Sequence, residues 1–321
     1  MKKAFLLVLL MVSVYFAGCK RISDTFLAFT EADNMKKAIA HNITELDFYA
    51  KDIVVVTEEQ NSGNDSNLDA GAVLLVDISD NETLYASNAY KSMYPASLVK
   101  LLTSLIVLED GELTDTVSIS RNAVKIAESR ARVCGFKEGD SVSLETLLNC
   151  LLVYSGNDAA VAIAEHIAGN EEEFVKLMNS KALQTGATAS RFANPHGLHD
   201  DMQYITAYDI YLIFNKLLKY DTFRSIINKA DFEAEYLESS GNIKKKSFKS
   251  TNQYLTGDVQ APEGIDVIGG ISGTTRKSGS CMILLCRDDK GSEYIAIILD
   301  TKDNNTLYTQ MSYLLSLTAT R

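Results

Sequence analysis

The hydrophobic positions follow two different periods along the chain. Short apolar runs bounded by turn residues are typical of strands, and they lie at 52–57, 70–77, 84–87, 265–271, 280–286 and 293–300. Longer runs with helical spacing lie between and after them, at 143–152, 159–168, 171–185, 207–219 and 304–317. The strands therefore fall at both ends of the chain, and most of the helices fall in the middle.

This order predicts an α+β fold. We expect one antiparallel sheet that is completed by N- and C-terminal strands and covered by helices, with a second lobe made of the middle helices. Residues 110–170 are expected to be largely helical, and the polar stretch 235–262 is expected to contain strands and loops. A cleft between the two lobes is the natural place for a site.

The first residues have the order of a signal peptide. Lys2 and Lys3 precede an almost wholly apolar run, 4–16, which is too short to span a membrane as a helix. The run ends in small residues before Cys19 and resembles the lipobox of bacterial lipoproteins, in which this cysteine is lipidated and becomes the new N-terminus. Phe16 stands where that motif usually has leucine. An ordinary signal peptide that is cleaved nearby is the alternative.

Length and composition set the domain organisation. The chain has 321 residues, 46% of them hydrophobic, and a formal net charge of −11. We expect a signal peptide over 1–18 and a lead segment or tether over 19–49, followed by roughly one large or two modest domains. An acidic chain is a poor partner for nucleic acid and offers no basic patch for a membrane surface.

Cysteine and histidine do not form a recognisable metal pattern. The four histidines are scattered, so we expect neither a metal ion nor a cofactor. An even set of cysteines could pair in an exported protein. However, Cys281 and Cys286 lie in apolar strand-like runs and Cys150 lies in an apolar helix. For these and for Cys134, buried free thiols are the favoured interpretation.

Ser97 and Lys100 stand three residues apart at the start of a strongly apolar run. Pro95 suits the first turn of a helix, where its missing N–H costs nothing. The serine and the lysine would then share one helix face. Such a pair is a candidate activated nucleophile, provided that burial or a second cation lowers the lysine pKa. Ser-x-x-Lys also occurs in many helices by chance, so it needs further support.

A second motif supplies that support. Ser155, Gly156 and Asn157 lie at the junction of two predicted helices, where glycine permits a tight backbone that can aim both side chains outwards. With Ser97 and Lys100, this tripeptide resembles the motif set of penicillin-binding proteins and serine β-lactamases. The match is closest to the low-molecular-mass D-alanyl-D-alanine carboxypeptidases. It extends from about residue 50 to 317 and is strongest at 95–103, 152–160, 174–179, 194–198 and 206–209. The resemblance implies a single D-alanyl-D-alanine carboxypeptidase-like catalytic domain over 50–319.

The resemblance implies a role for each residue. Ser97 would attack a D-Ala-D-Ala peptide to form an acyl-enzyme, and Lys100 would take its proton. Ser155 would relay a proton toward the leaving amine, and Asn157 would hold the substrate amide and the lysine. The backbone N–H groups of Ser97 and Thr274 would form the oxyanion hole, where losing one donor typically costs roughly a hundred- to a thousandfold in rate.

The third motif departs from the family. Members have Lys-Thr-Gly on the strand beside the site, and here the aligned residues are Ile271, Ser272 and Gly273. Serine keeps the hydroxyl, but isoleucine removes a cation that, in the family, helps to bind the substrate carboxylate. A charge-assisted hydrogen bond is typically worth about 1.5–3 kcal/mol. Arg276 or Lys277 could replace the cation, although both are expected in the following turn.

Three functions remain open at this point. The first is a carboxypeptidase that acts on peptidoglycan stem peptides ending in D-Ala-D-Ala, with β-lactam antibiotics as covalent inhibitors. The second is a catalytically impaired relative that binds cell-wall peptide or a protein, and this interpretation explains Ile271 more easily than the first does. The third is a β-lactamase. It is least favoured, because no Glu-x-x-Leu-Asn-like segment follows Ser155, and 171–173 fits a helix N-terminus.

The resemblance also bears on localisation. Many relatives carry a further C-terminal β domain and an amphipathic anchor helix, which the match does not include, and a lipid on Cys19 would replace that anchor. We therefore expect an extracytoplasmic lipoprotein that is held at the cell membrane by its lipid alone, with a secreted protein as the alternative. His196 and His199 are expected in a turn packed beside the site, and 244–246 on a solvated edge.

Overall fold

The computed structural model describes residues 53–128 and 131–318. Its nine strands are β1 (Ala72–Asp77), β2 (Glu82–Ser87), β3 (Thr116–Ser118), β4 (Ser141–Ser143), β5 (Asp231–Leu237), β6 (Ile243–Lys249), β7 (Ile265–Thr275), β8 (Gly279–Asp288) and β9 (Glu293–Thr301). Its α-helices are α1 (Val99–Asp110), α2 (Leu144–Asn149), α3 (Asn157–Ala168), α4 (Glu171–Gln184), α5 (Ala207–Leu217), α6 (Asp221–Ile227) and α7 (Asn304–Ser316). A 3₁₀ turn (Ala96–Leu98) precedes α1, and a π-helical turn (Cys150–Tyr154) continues α2.

The main sheet has five strands in the order β2-β1-β9-β8-β7, and all neighbours are antiparallel. The two early strands therefore pair with the three late ones, which confirms the predicted α+β fold and the way in which its sheet is completed. β7 is an edge strand, so one of its sides is left for the site.

Alternation along β1 explains why helices cover both faces of this sheet. Leu74 and Val76 point into a large core with α1, whereas Val73 and Leu75 point into a smaller core with α7. All four side chains are fully buried. Burial of each such side chain contributes about 1.5–3 kcal/mol. α1 is buried on nearly every side, because each of its residues 99–107 is inaccessible to solvent.

The second lobe is not purely helical, and the expectation for 110–170 is wrong in its first half. β3 and β4 lie there, and the described residues between them, 119–128 and 131–140, are irregular. With β5 and β6 they form a second sheet in the order β3-β4-β5-β6. β3 and β4 have only three residues each, which is too short for alternation to show in the sequence.

The apolar run 52–57 was expected to be a strand, but its described residues, 53–57, join no sheet. Tyrosine hydroxyls satisfy its backbone instead. The N–H of Val54 donates to the hydroxyl of Tyr211 at 2.9 Å, and the hydroxyl of Tyr90 donates to the carbonyl of Val56 at 2.6 Å. Both valines are buried. The apolar pattern of this run therefore reflects burial in the core and not pairing with another strand.

The four cysteines of the described residues are buried free thiols, as the sequence favoured. Burial raises the pKa of the Cys281 thiol to about 12. Among the helices of 53–128 and 131–318, none is both long and apolar enough to cross a membrane. The predicted signal peptide, Cys19 and the lead segment lie outside the described residues.

Candidate active site

Ser97 lies in the 3₁₀ turn that leads into α1, at the floor of a cleft of about 410 Å³. The preceding Ala96 has φ +49°, a left-handed conformation that costs a non-glycine residue about 1–2 kcal/mol. Backbone strain of this kind is concentrated at functional sites. Here it lies immediately before the candidate nucleophile.

Two glycines allow the backbone to close around Ser97. A Cβ atom at Gly273 would lie 2.4 Å from the Ser97 backbone nitrogen, so only glycine lets β7 approach this closely. A Cβ atom at Gly197 would lie 2.0 Å from the carbonyl oxygen of Ala96. The edge strand and the 194–198 turn therefore hold the serine from two sides.

Lys100 lies one turn further on and is only 1% exposed. Its Nζ lies 3.3 Å from Ser97 Oγ and 2.8 Å from Asn157 Oδ1, and it also donates to the carbonyl of His196. The carboxamide and carbonyl oxygens can only accept, so they take up two N–H donors of a neutral amine. Its lone pair is then left for the hydroxyl of Ser97.

The pKa of Lys100 is lowered to about 7, chiefly because burial desolvates the ammonium, with a smaller contribution in the same direction from the nearby Arg132 cation. Cys134 and Asp158 oppose that shift. A large fraction of the amine is therefore neutral near pH 7, which is the protonation state that a general base needs.

Ser155 faces the nucleophile from the opposite wall. It ends the π-helical turn in a left-handed conformation, with φ +64°, and its hydroxyl donates to Ser97 Oγ at 3.0 Å. Asn157 begins α3 two residues later, after Gly156. Ser97 and Lys100 are thus joined to Ser155 and Asn157, which come from a distant part of the sequence, in one hydrogen-bonded cluster.

His196 is held in the neutral form beside this cluster. Burial lowers its pKa to about 3, and the charge on Lys100 adds to the shift. Glu171 lies 3.8 Å from its Nε2, but no ion pair forms near neutral pH because the ring is uncharged. The Nδ1 atom accepts the N–H of Leu198 at 3.1 Å. The residue therefore orders its turn, and its carbonyl positions Lys100.

The strand of the third motif, β7, places its three predicted site residues in the cleft but not the residue that replaces the family's lysine. Ser272, Gly273 and Thr274 all line the cleft. Ile271 does not, because its side chain is 4% exposed and packs in the large core. Arg276 and Lys277 lie in an exposed turn between β7 and β8 and are not part of the cleft wall, so neither supplies the missing cation there.

Several cleft residues were not found from the sequence. They are polar side chains from irregular segments and from the start of α7: Glu128, Arg132, Ser250, Thr251, Gln253, Asp258 and Asn304. No local pattern marks them, because each becomes a wall residue only through the folding of distant segments. The hydroxyl of Thr274, for example, donates to Asn304 Oδ1 across 30 positions of sequence, at 3.4 Å.

A buried serine–lysine pair, with a second serine across a cleft at the edge of an antiparallel sheet, defines the class of serine acyl-transfer proteins. Residues 56–303 match the family Peptidase_S11, D-alanyl-D-alanine carboxypeptidase. The chain therefore belongs to the D-alanyl-D-alanine carboxypeptidase family.

Curated relatives agree with this assignment. The chain is 30% identical over 252 residues to the D-alanyl-D-alanine carboxypeptidase DacF of Bacillus subtilis, an alignment that covers 76% of this chain and 61% of DacF. It is 28% identical over 258 residues to DacC of Escherichia coli, which covers 78% of this chain and 61% of DacC. The chain thus matches about three fifths of the length of these relatives.

Solved structures show the same fold. The Streptomyces K15 DD-transpeptidase superposes with a TM-score of 0.74 and 21% identity, over 81% of this chain and 100% of its own. A D-alanyl-D-alanine carboxypeptidase from Mycobacterium tuberculosis superposes with a TM-score of 0.70 and 23% identity, over 82% and 96%. At these identities the likeness concerns the fold alone.

Proposed function

We propose that this protein is a serine-type D-alanyl-D-alanine carboxypeptidase that acts on peptidoglycan stem peptides. The observation that carries the proposal is the position of Lys100, whose Nζ lies 3.3 Å from Ser97 Oγ with a pKa lowered to about 7. A base poised near the working pH can activate a serine hydroxyl without a metal ion.

The first half of the reaction forms an acyl-enzyme. Ser97 Oγ attacks the carbonyl carbon of the penultimate D-alanine while Lys100 accepts the hydroxyl proton. The backbone N–H groups of Ser97 and Thr274 donate to the developing oxyanion. As the C–N bond breaks, Ser155 passes a proton to the leaving amine, and its hydroxyl is reprotonated from Lys100. Free D-alanine leaves, and the peptide remains as an ester of Ser97.

The second half returns the enzyme to its starting state. A water molecule attacks the ester carbonyl while Lys100 accepts one of its protons. As the bond between the carbonyl carbon and Ser97 Oγ breaks, Lys100 returns that proton to Oγ, which releases the shortened peptide and regenerates the serine hydroxyl. Asn157 fixes the lysine through its Oδ1 and supplies the amide that orients the substrate. β-Lactam antibiotics would acylate the same oxygen of Ser97.

A second candidate is a binding module that no longer turns over, and the burial of Ile271 favours it. Release of D-alanine from a soluble pentapeptide separates the two. Release by the wild type that is lost in Ser97→Ala supports the enzyme. Release that is absent in the wild type and gained in Ile271→Lys would mean that the nucleophile is intact but carboxylate binding is disabled. Release by neither the wild type nor Ile271→Lys would favour the binding module.

We further propose that the protein works outside the cytoplasm, anchored by a lipid on Cys19, with secretion as the alternative. The charged, apolar and small residues of 1–19 support this proposal. Growth with labelled palmitate should tag the wild type but not Cys19→Ala. Equal labelling of the two proteins would refute the anchor and leave the catalytic proposal untouched.

A further inference from the structure

The cleft contains a cation that no motif predicted. Arg132 is the only arginine or lysine among the described residues that line the cleft. The two carboxylates there are Glu128 and Asp258, and Asp258 already pairs with Lys249 at 3.2 Å and accepts the hydroxyl of Thr256 at 2.6 Å. His196 is uncharged near neutral pH, because burial lowers its pKa to about 3. Among the described residues of the cleft, a ligand carboxylate therefore meets one exposed positive group.

The backbone of Arg132 is fixed to the catalytic wall. Its carbonyl accepts both the backbone N–H and the Nδ2–H of Asn157, each at 2.9 Å. The next residues are held as well, because the buried carboxylate of Asp158 accepts the N–H groups of Cys134 and Gly135, each at 2.8 Å. The arginine is thus anchored by the residues that follow Ser155 directly.

The guanidinium of Arg132 lies over the ring of Tyr154, 5.1 Å from its centroid. This contact orients the plane of the guanidinium without using its N–H donors. Within 53–128 and 131–318 no carboxylate forms an ion pair with it, and the side chain is exposed to the cleft. Its fork of donors is therefore available to a planar anion, and carboxylate is the group that fits it in a bidentate manner.

We propose that Arg132 binds a carboxylate of the substrate, in place of the lysine that is missing from the third motif. The class of ligand, a peptide with at least one carboxylate, is taken from the proposed function, and the inference rests on that function to this extent. That group is either the C-terminal carboxylate or an acidic side chain on the acyl side of the scissile bond. The chemistry of recognition is the same for both, and the experiment separates them.

The test measures binding and does not depend on turnover. Four acetylated peptides of the form X-D-Ala-D-Ala, with glutamate or glutamine as X and a C-terminal acid or amide, are titrated calorimetrically into the full chain carrying Ser97→Ala. The same titrations are made after adding Arg132→Gln, which keeps the backbone bonds to Asn157. Arg276→Gln is the matched control, since it removes an exposed arginine outside the cleft.

We expect one of the two carboxylates to improve the affinity by about ten- to a hundredfold. Arg132→Gln should abolish this preference, and Arg276→Gln should retain it. Loss of the acid-over-amide preference identifies the C-terminal carboxylate, and loss of the glutamate-over-glutamine preference identifies the acyl side. Equal thermal unfolding of the variants shows that the effect is local.

The inference is overturned if Arg132→Gln keeps the carboxylate preference, if neither carboxylate improves binding, or if no peptide binds. D-Alanine release by the protein with Ser97 intact is measured separately. Release without an Arg132-dependent preference refutes this inference alone. An Arg132-dependent preference without release refutes the proposed turnover alone.

Discussion

Replacing Gly273 by alanine tests how the fold positions the nucleophile. The added Cβ would lie 2.4 Å from the nitrogen and 2.8 Å from the Cβ of Ser97, whereas ordinary contacts begin at 3.4 Å. Either β7 or the 3₁₀ turn must therefore move by about 1 Å. Both groups that we assign to the oxyanion hole, the N–H groups of Ser97 and Thr274, lie at this contact.

The expected loss of activity follows from that displacement. A misplacement of about 1 Å can cost roughly a hundredfold in rate, and loss of one oxyanion donor costs roughly a hundred- to a thousandfold. We expect Gly273→Ala to slow acylation by at least about a hundredfold. Overpacking should also lower the free energy of unfolding by about 1–3 kcal/mol.

The assay is the rate at which a fluorescent penicillin labels the protein, with thermal unfolding measured in parallel. Gly291→Ala is the control, because that glycine also has a positive φ, +94°, but has open space around it and lies in the β8–β9 turn. It should lose about 1–2 kcal/mol of stability and keep its acylation rate. Acylation of Gly273→Ala within about threefold of the wild type would refute the steric argument.

Three further predictions concern Lys100. Because only its neutral form accepts a proton and its pKa is about 7, the rate of acylation should rise with pH through about 7 and then level off. A flat rate profile between pH 5 and 9 would contradict this role. Arg132→Gln removes a cation that lowers the pKa of Lys100, so the same profile should move to higher pH, and no movement would show that the two groups are not coupled. Asn157→Ala should slow acylation by about a hundredfold or more. It removes the carboxamide oxygen that accepts a hydrogen bond from Lys100 Nζ at 2.8 Å, and with it a group that positions the lysine and orients the substrate. Penicillin labelling of this variant at the wild-type rate would exclude both roles for Asn157.

The parts of the fold that were predictable are those that a local pattern encodes. The long late strands and helices such as α3 and α4 were found because their apolar spacing repeats over many residues. β3 and β4 were missed because three residues cannot show a period. The prediction of a strand at 52–57 was wrong, because tyrosine hydroxyls bond to the backbone of 53–57 where a neighbouring strand would. No local pattern in the sequence indicates such distant partners.

The candidate site divides in the same way. Ser97, Lys100, Ser155 and Asn157 lie in short motifs whose spacing has a chemical meaning, and the structure places all four in one cluster. Arg132 has no motif around it, and its position depends on a bond between its backbone carbonyl and Asn157. Residues placed by such long-range backbone contacts cannot be found from sequence spacing.

The most direct test of the central proposal is the release of D-alanine from a soluble pentapeptide that ends in D-Ala-D-Ala. The wild type and Ser97→Ala would be assayed side by side, with mass spectrometry used to look for the acyl-enzyme. We predict release and a covalent adduct on Ser97 for the wild type, and neither for the variant. Release that persists in Ser97→Ala, or a wild type that releases no D-alanine, would contradict the proposal.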